Sequence, residues 1–132
     1  METLLIDTNV FSFLHKNDPL GDPYQPHLAG KRLALSFMTI AELYRWALVK
    51  NWGATKISDL RAKLSQYAVL PYDDLTAWEW ARVRNVKGFP VSVDDAWIAA
   101  GAIRHNIPLV THNKRHFEGI PGLSIICERQ ES

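Results

Sequence analysis

A single cysteine, Cys127, stands in the 132 residues, so no internal disulfide can form and the chain must rely on an ordinary apolar core. No Cys/His cluster has the spacing of a zinc site. No apolar run approaches the roughly 18 residues that would cross a bilayer. No secretory leader precedes the first apolar segment, so a cytoplasmic location away from membranes is the expectation. A dominant charge is also missing: 15 Lys and Arg against 14 Asp and Glu give a formal net charge of +1. That balance excludes an indiscriminate nucleic-acid coat protein, whose basic excess would be plain. It leaves room for an enzyme in which an acidic centre and a basic rim cancel. Repeats, low-complexity tracts and linkers are absent as well, and residues 1–132 read as one domain.

What is present is an alternation of short apolar runs with helical patterns. Leu4-Leu5-Ile6 predicts a buried strand that delivers Asp7-Thr8-Asn9 at its C-terminal end. Val10 to Lys16 predicts a short helix, followed by a polar loop through Asn17-Asp18-Pro19 and Gly21-Asp22-Pro23. A strand over Leu33–Phe37 leads into a helix opened by Thr39 and ended by Gly53. Further helices are predicted over Ile57–Tyr67, Thr76–Val86 and Ser92–His105, with extended segments at 69–72, Ile107–Thr111 and Leu123–Cys127. This order predicts an α/β sandwich, three layers around a mainly parallel central sheet. In such folds ligands gather outside the carboxyl ends of the strands.

Three carboxylates fall where that edge would collect them: Asp7 at a strand end, and Glu42 and Asp95 in the first turns of two helices. Each also has a purely structural explanation. Asp7 can cap the next helix, and Thr39-Ile40-Ala41-Glu42 and Ser92-Val93-Asp94-Asp95 match capping boxes or acidic first turns. If the three converge, their charges repel, and a divalent cation is the natural compensation. All-oxygen donors favour magnesium, with manganese also suitable. Such an ion can acidify a bound water and stabilise charge on a phosphodiester undergoing hydrolysis.

Four blocks in order, Leu5-Ile6-Asp7-Thr8-Asn9-Val10, Thr39-Ile40-Ala41-Glu42-Leu43, Asp95-Ala96-Trp97-Ile98-Ala99-Ala100 and Leu109-Val110-Thr111-His112-Asn113, resemble the PIN-domain family over almost the whole chain. More closely, the pattern resembles the VapC toxins of type II toxin–antitoxin systems. The resemblance implies a magnesium-dependent endoribonuclease with Asp7, Glu42 and Asp95 as metal ligands and catalytic residues, and Asn113 as a fourth polar site residue. It implies that Thr8 or Asn9 arranges the strand end. It also selects Asp95 over Asp94, because the family's acid stands two positions before the residue that precedes Ile-Ala. RNA as substrate, a VapB-type protein antitoxin and a toxin homodimer follow as expected partners. The chain departs from the family after Thr111: no carboxylate occurs before Glu118, and His116 stands where some relatives carry Asp or Glu. That departure keeps open a catalytically silent PIN-like module that binds RNA or protein.

Other residues carry two readings each. Arg45, Lys50, Arg82, Arg84, Lys87, Lys114 and Arg115 could form a basic rim for phosphates, or simply a solvated surface; Lys114 and Arg115 are preferred because they follow the site loop. Trp46, Trp52, Trp78, Trp80 and Trp97 could stack bases or pack in the core and at interfaces, and for Trp97 packing is expected. The helical pair between Glu42 and Tyr67 is the expected partner surface.

Overall fold

The structure, a computed structural model, describes residues 1–129. Five strands form one sheet in the order β3-β2-β1-β4-β5, and every pairing is parallel. They are β1 (Thr3–Ile6), β2 (Arg32–Leu35), β3 (Ala68–Val69), β4 (Leu109–Val110) and β5 (Ile125–Ile126). The register sets Leu5 beside both Ala34 and Leu109, which puts β1 at the centre of the sheet. Its Leu4, Leu5 and Ile6 are fully buried, as expected of a strand covered on both faces.

Side-chain alternation along β1 divides the core in two. Leu4 and Ile6 point to a layer built with Val10, Phe11, Tyr24, Leu28, Leu43, Leu60 and Leu64. These come from α1 (Thr8–His15), the Pro19–Tyr24 turn of 3-10 helix, α2 (Gln25–Leu28), α3 (Phe37–Val49) and α4 (Ala54–Leu64). Leu5 points the other way, to Val83, Val91, Ala96, Ile98, Ala99 and Ala102. Apart from Val91, which lies in the connecting loop, these come from α5 (Asp74–Arg84) and α6 (Val93–Arg104). The result is the three-layer α/β/α sandwich expected from the sequence, with the sheet wholly rather than mainly parallel. The small side chains of α6 let the helix lie close: a Cβ on Gly101 would stand 3.4 Å from Leu70.

Several boundaries differ from the sequence expectation, each for a local reason. Strand β2 stops at Leu35 because Ser36 is the N-cap of α3, its hydroxyl accepting from the Met38 N–H at 3.1 Å. Thr39 is therefore an interior helical residue, and Glu42 lies in the second turn rather than the first. Gly53 does not end α3. Asn51 does, in the left-handed conformation at φ 54°, and Gly53 instead caps α4. Asn17 and Asn106 end α1 and α6 in the same way, at φ 54° and 53°. The expected polar loop contains a 3-10 turn and the one-turn helix α2, with Pro19 and Pro26 at initiating positions where no N–H is needed. Helix α5 begins two residues early, at a capping box in which the Asp73 carboxylate accepts from the Thr76 N–H at 2.9 Å.

Candidate active site

Parallel pairing brings the C-terminal ends of β1 and β4 side by side, and the residue after each is polar: Asp7 and Thr111. Asp7 is only 5 % exposed. Its Oδ1 accepts from the Thr8 N–H at 2.8 Å, which makes it the N-cap of α1, and its Oδ2 accepts from the Thr111 hydroxyl at 2.6 Å. The structural explanation for Asp7 thus holds, and it does not exhaust the residue. Burial pushes its carboxyl above the ordinary range, the two hydrogen bonds pull it back, and the Asp95 charge pushes it up again.

Glu42 reaches the same edge from α3. Thr8 Oγ1 lies 2.9 Å from Thr39 Oγ1 and 3.0 Å from Glu42 Oε1, so its single proton is shared between a hydroxyl and a carboxylate. The Glu42 carboxyl is also raised, first by burial, then by the charges of Asp94, Asp7 and Asp95, against the Thr8 hydrogen bond. Asp95 arrives in the first turn of α6, where its N–H bonds the N-cap Ser92 hydroxyl at 3.1 Å. The capping reading of Ser92 therefore holds, while the one for Thr39 fails. Asp7, Glu42 and Asp95 come from three separate segments, and the Asp95 charge is close enough to push up both Asp7 and Glu42.

The remaining polar residues join this centre unequally. The Asn113 N–H donates to Thr111 Oγ1 at 3.0 Å, so the loop after β4 is folded back onto the hydroxyl that holds Asp7. Asn9 Oδ1 accepts from the His112 N–H at 3.4 Å, tying the strand-end segment to the same loop. His116 Nδ1 stands 3.2 Å from Asp95 Oδ2. Behind the loop, the Tyr24 hydroxyl touches the Thr111 carbonyl at 3.3 Å, His112 Nδ1 at 2.6 Å and the Glu128 N–H at 3.1 Å. Sequence reasoning took Thr39 only as a helix opener, did not name Tyr24, and placed Thr111 at the end of an extended segment without a role for its hydroxyl. The hydroxyl of Thr111 beside a strand-end Asp was the one available signal.

The basic candidates separate. Arg82 pairs with Glu79 on α5, and Arg84 donates to the Val91 carbonyl at 2.7 Å and lies over Trp80. Arg82 is thus engaged along its own helix, while Arg84 ties α5 to the segment before α6. Lys114 and Arg115 occupy the exposed 3-10 turn Lys114–His116 next to the carboxylates. Trp97 stacks between Tyr72 and Trp80, with ring centroids 5.3 and 5.0 Å away. Among the described residues no three His, Cys, Asp or Glu side chains are already closed into a coordination cluster. The donor set nonetheless fits a hard divalent cation: three carboxylates, with Asp7 and Glu42 pushed above their ordinary range by burial, and oxygen donors throughout at a sheet edge. Magnesium keeps several waters and needs few protein ligands.

The fold and the acidic strand edge define a class, and the comparisons agree with it. The family model described as PIN domain matches residues 4–123. The chain belongs to the PIN-domain family. VapC proteins are among its relatives. Ribonuclease VapC1 of Haemophilus influenzae is 31% identical, with 90% of this chain and 92% of that protein covered. The tRNA(fMet)-specific endonuclease VapC of Salmonella typhimurium is also 31% identical, covering 95% of this chain and 97% of that protein. Among solved structures, the DNA-bound VapBC of Salmonella typhimurium matches with a TM-score of 0.78 at 31% identity, over 96% of this chain and 98% of that one.

Proposed function

We propose that the chain is a divalent-metal-dependent endoribonuclease that hydrolyses RNA phosphodiester bonds and serves as the toxin of a VapBC-type pair. The observation that carries this reading is the convergence of Asp7, Glu42 and Asp95 on the C-terminal edge of the sheet, where burial and mutual repulsion raise Asp7 and Glu42 together. Residues kept only for helix capping would have no reason to face one another. Names of the relatives support the same class, since several are ribonucleases or endonucleases.

Asp7, Glu42 and Asp95 would hold the cation, magnesium or manganese, with Asn113 contributing a polar contact at the rim. When bound, such an ion offsets the carboxylate repulsion, acidifies water and stabilises charge on the phosphoryl oxygens. The chain's own residues supply the geometry. Thr111 and the Thr8 N–H fix both oxygens of Asp7, Thr8 and Thr39 orient Glu42, and Ser92 sets the first turn that carries Asp95. Lys114 and Arg115 lie where an incoming phosphate would pass.

The antitoxin reading rests on the solved VapBC relative and on an apolar face of this chain. Helix α3 turns Trp46, Leu48 and Val49 outward. A groove of about 340 Å³ lined by Asn9, Ser12, Phe13, Lys16, Trp46 and Lys50 runs beside it to the site residue Asn9. A segment laid there would approach the carboxylates from the side. A homodimer would use a different face, where Phe37, Leu75, Trp78 and Val93 are exposed.

The deciding experiment is incubation of the purified full chain with a mixed cellular RNA pool, with magnesium, with chelator, and with folded Asp95→Asn alongside. Cleavage that needs the ion and disappears in the variant supports the proposal. Absence of cleavage by antitoxin-free wild type with either magnesium or manganese overturns it.

A further inference from the structure

The loop after β4 presents a nitrogen donor rather than a fourth carboxylate. Phe117 is fully buried and anchors the loop, and the His116 N–H bonds the Asn113 carbonyl at 3.0 Å. This turn carries the His116 ring to Asp95, with Nδ1 3.2 Å from Oδ2. The same ring also acts electrostatically on Asp7. Asn113, by contrast, is held through its main-chain N–H. Among the described residues its side chain makes no hydrogen bond to a carboxylate of the site. Of the two candidates for the fourth position, His116 is the one brought to the acids.

We propose that His116 supplies an imidazole nitrogen to the divalent cation of the acidic centre, and that this mixed oxygen and nitrogen donor set selects manganese and later first-row ions over magnesium. The inference rests on the reading of Asp7, Glu42 and Asp95 as the cation's carboxylate ligands. Two neighbouring ligands of one divalent cation, each about 2.0–2.2 Å from it, lie roughly 3 Å apart. The 3.2 Å between Nδ1 and Asp95 Oδ2 matches that spacing, so with Nδ1 unprotonated the imidazole and the carboxylate could hold one cation together. The ion preference follows from ligand chemistry. Carboxylates and water satisfy magnesium, whereas an imidazole adds most to ions further along the Irving–Williams order. The His116 side chain is 57% exposed, so it has room to turn and its replacement does not disturb the core.

The test uses the metal-free full chain, titrated calorimetrically with Mn²⁺ and separately with Mg²⁺, and pulsed electron paramagnetic resonance of bound Mn²⁺ to detect a directly coordinated ¹⁴N. Wild type is expected to show the nitrogen coupling. His116→Gln should lose it, with Mn²⁺ affinity falling on the order of tenfold and Mg²⁺ affinity falling less. His116→Glu should also lack the coupling but recover Mg²⁺ binding. Mn²⁺ bound by wild type without nitrogen coupling, or with coupling that persists in His116→Gln, overturns the role of His116 and leaves the carboxylate centre standing. Failure of folded wild type to bind either ion removes the centre, and the inference with it.

Discussion

The Thr111 hydroxyl lies 2.6 Å from Asp7 Oδ2 across 104 positions of sequence. It joins the ends of two neighbouring parallel strands through a buried carboxylate. The same oxygen of Thr111 accepts the Asn113 N–H, so one hydroxyl holds both the first acid of the site and the loop that borders it. Thr111→Val keeps the shape and removes both bonds. The expected loss is about 1–3 kcal/mol, the cost of leaving buried polar groups without partners, with a matching fall in RNA cleavage. Urea unfolding in the presence of chelator measures the first, and Thr111→Ser should lie close to wild type. Equal stability of the Val variant and wild type would show that Asp7 is held by other contacts.

Asp7 should destabilise the metal-free protein at neutral pH. Burial holds its folded-state pKa above the ordinary carboxylate value. Folding therefore favours its protonated form. The stabilising contribution is complete below the unfolded pKa and is lost as pH rises through the folded one. Asp7→Asn should accordingly be more stable than wild type at pH 7 in chelator, and the difference should shrink toward pH 4. Added manganese should reverse the order, because a ligand at 100 times its Kd adds about 2.7 kcal/mol to the protein that binds it. Asn at this position should bind poorly and cleave no RNA. A variant less stable than wild type at pH 7 in chelator contradicts the burial argument.

Glu42→Gln is expected to lose cleavage without the stability loss of a broken cap. Glu42 stands in the second turn of α3, and the cap is made by Ser36. The amide can still accept from Thr8 at the position of Oε1. Removing the charge also relieves repulsion from Asp94, Asp7 and Asp95. Thermal unfolding in chelator should give a midpoint equal to or above that of wild type. A marked fall would mean that Glu42 does structural work that its contacts do not reveal.

What the sequence made legible, and what it concealed, divides along local and non-local lines. The apolar Leu4-Leu5-Ile6 run announced a buried central strand, and its end announced Asp7, because burial on both faces leaves a plain compositional mark. Ser92 and Asp95 were placed correctly by the capping pattern alone. The α3 start was misplaced by three residues because Ser36 and Thr39 are both good caps, and only the Met38 N–H bond to the Ser36 hydroxyl decides between them. The stops before Asn17 and Asn106 were read correctly, but the one at Asn51 was given to Gly53 because asparagine is a weaker signal than glycine for the left-handed conformation. Prolines 19, 23 and 26 read as loop, yet two of them start short helical turns. The bonds Thr111 to Asp7 and Tyr24 to His112 link residues 104 and 88 apart. No periodicity or spacing rule encodes such pairs.

Asp73 should show the pH dependence opposite to that of Asp7. The Arg104 guanidinium, at 2.7 Å, and the Thr76 bonds hold its carboxyl well below the usual carboxylate range. A depressed folded pKa contributes stability above the unfolded value of 3.8, and that stability is lost as pH falls toward the folded one. Asp73→Asn should therefore lower the unfolding midpoint at pH 7 and converge on wild type in acid. Because the pair is solvent-exposed, added salt should shrink the effect. Thermal unfolding across pH 2–7 at two salt concentrations distinguishes this slope from that of the site carboxylates.

Tyr24 couples the loop after β4 to the end of the sheet. Its ring is buried in the core, and burial of the hydroxyl pushes its pKa up to about 12, so it stays protonated at every working pH. That oxygen accepts from the Glu128 N–H after β5 and contacts the Thr111 carbonyl and His112 Nδ1 after β4. Tyr24→Phe preserves the packing and orphans all three partners, at an expected cost of about 1–3 kcal/mol. The loss should not stop at stability. With Thr111 freed on its carbonyl side, the hydroxyl that positions Asp7 gains freedom, and the cation should bind more weakly although Tyr24 does not touch it. The measurement is the Mn²⁺ affinity of folded Tyr24→Phe, taken well below its unfolding temperature. Weaker binding by the folded variant places Tyr24 in the support of the site. Unchanged binding with reduced stability confines its role to the fold.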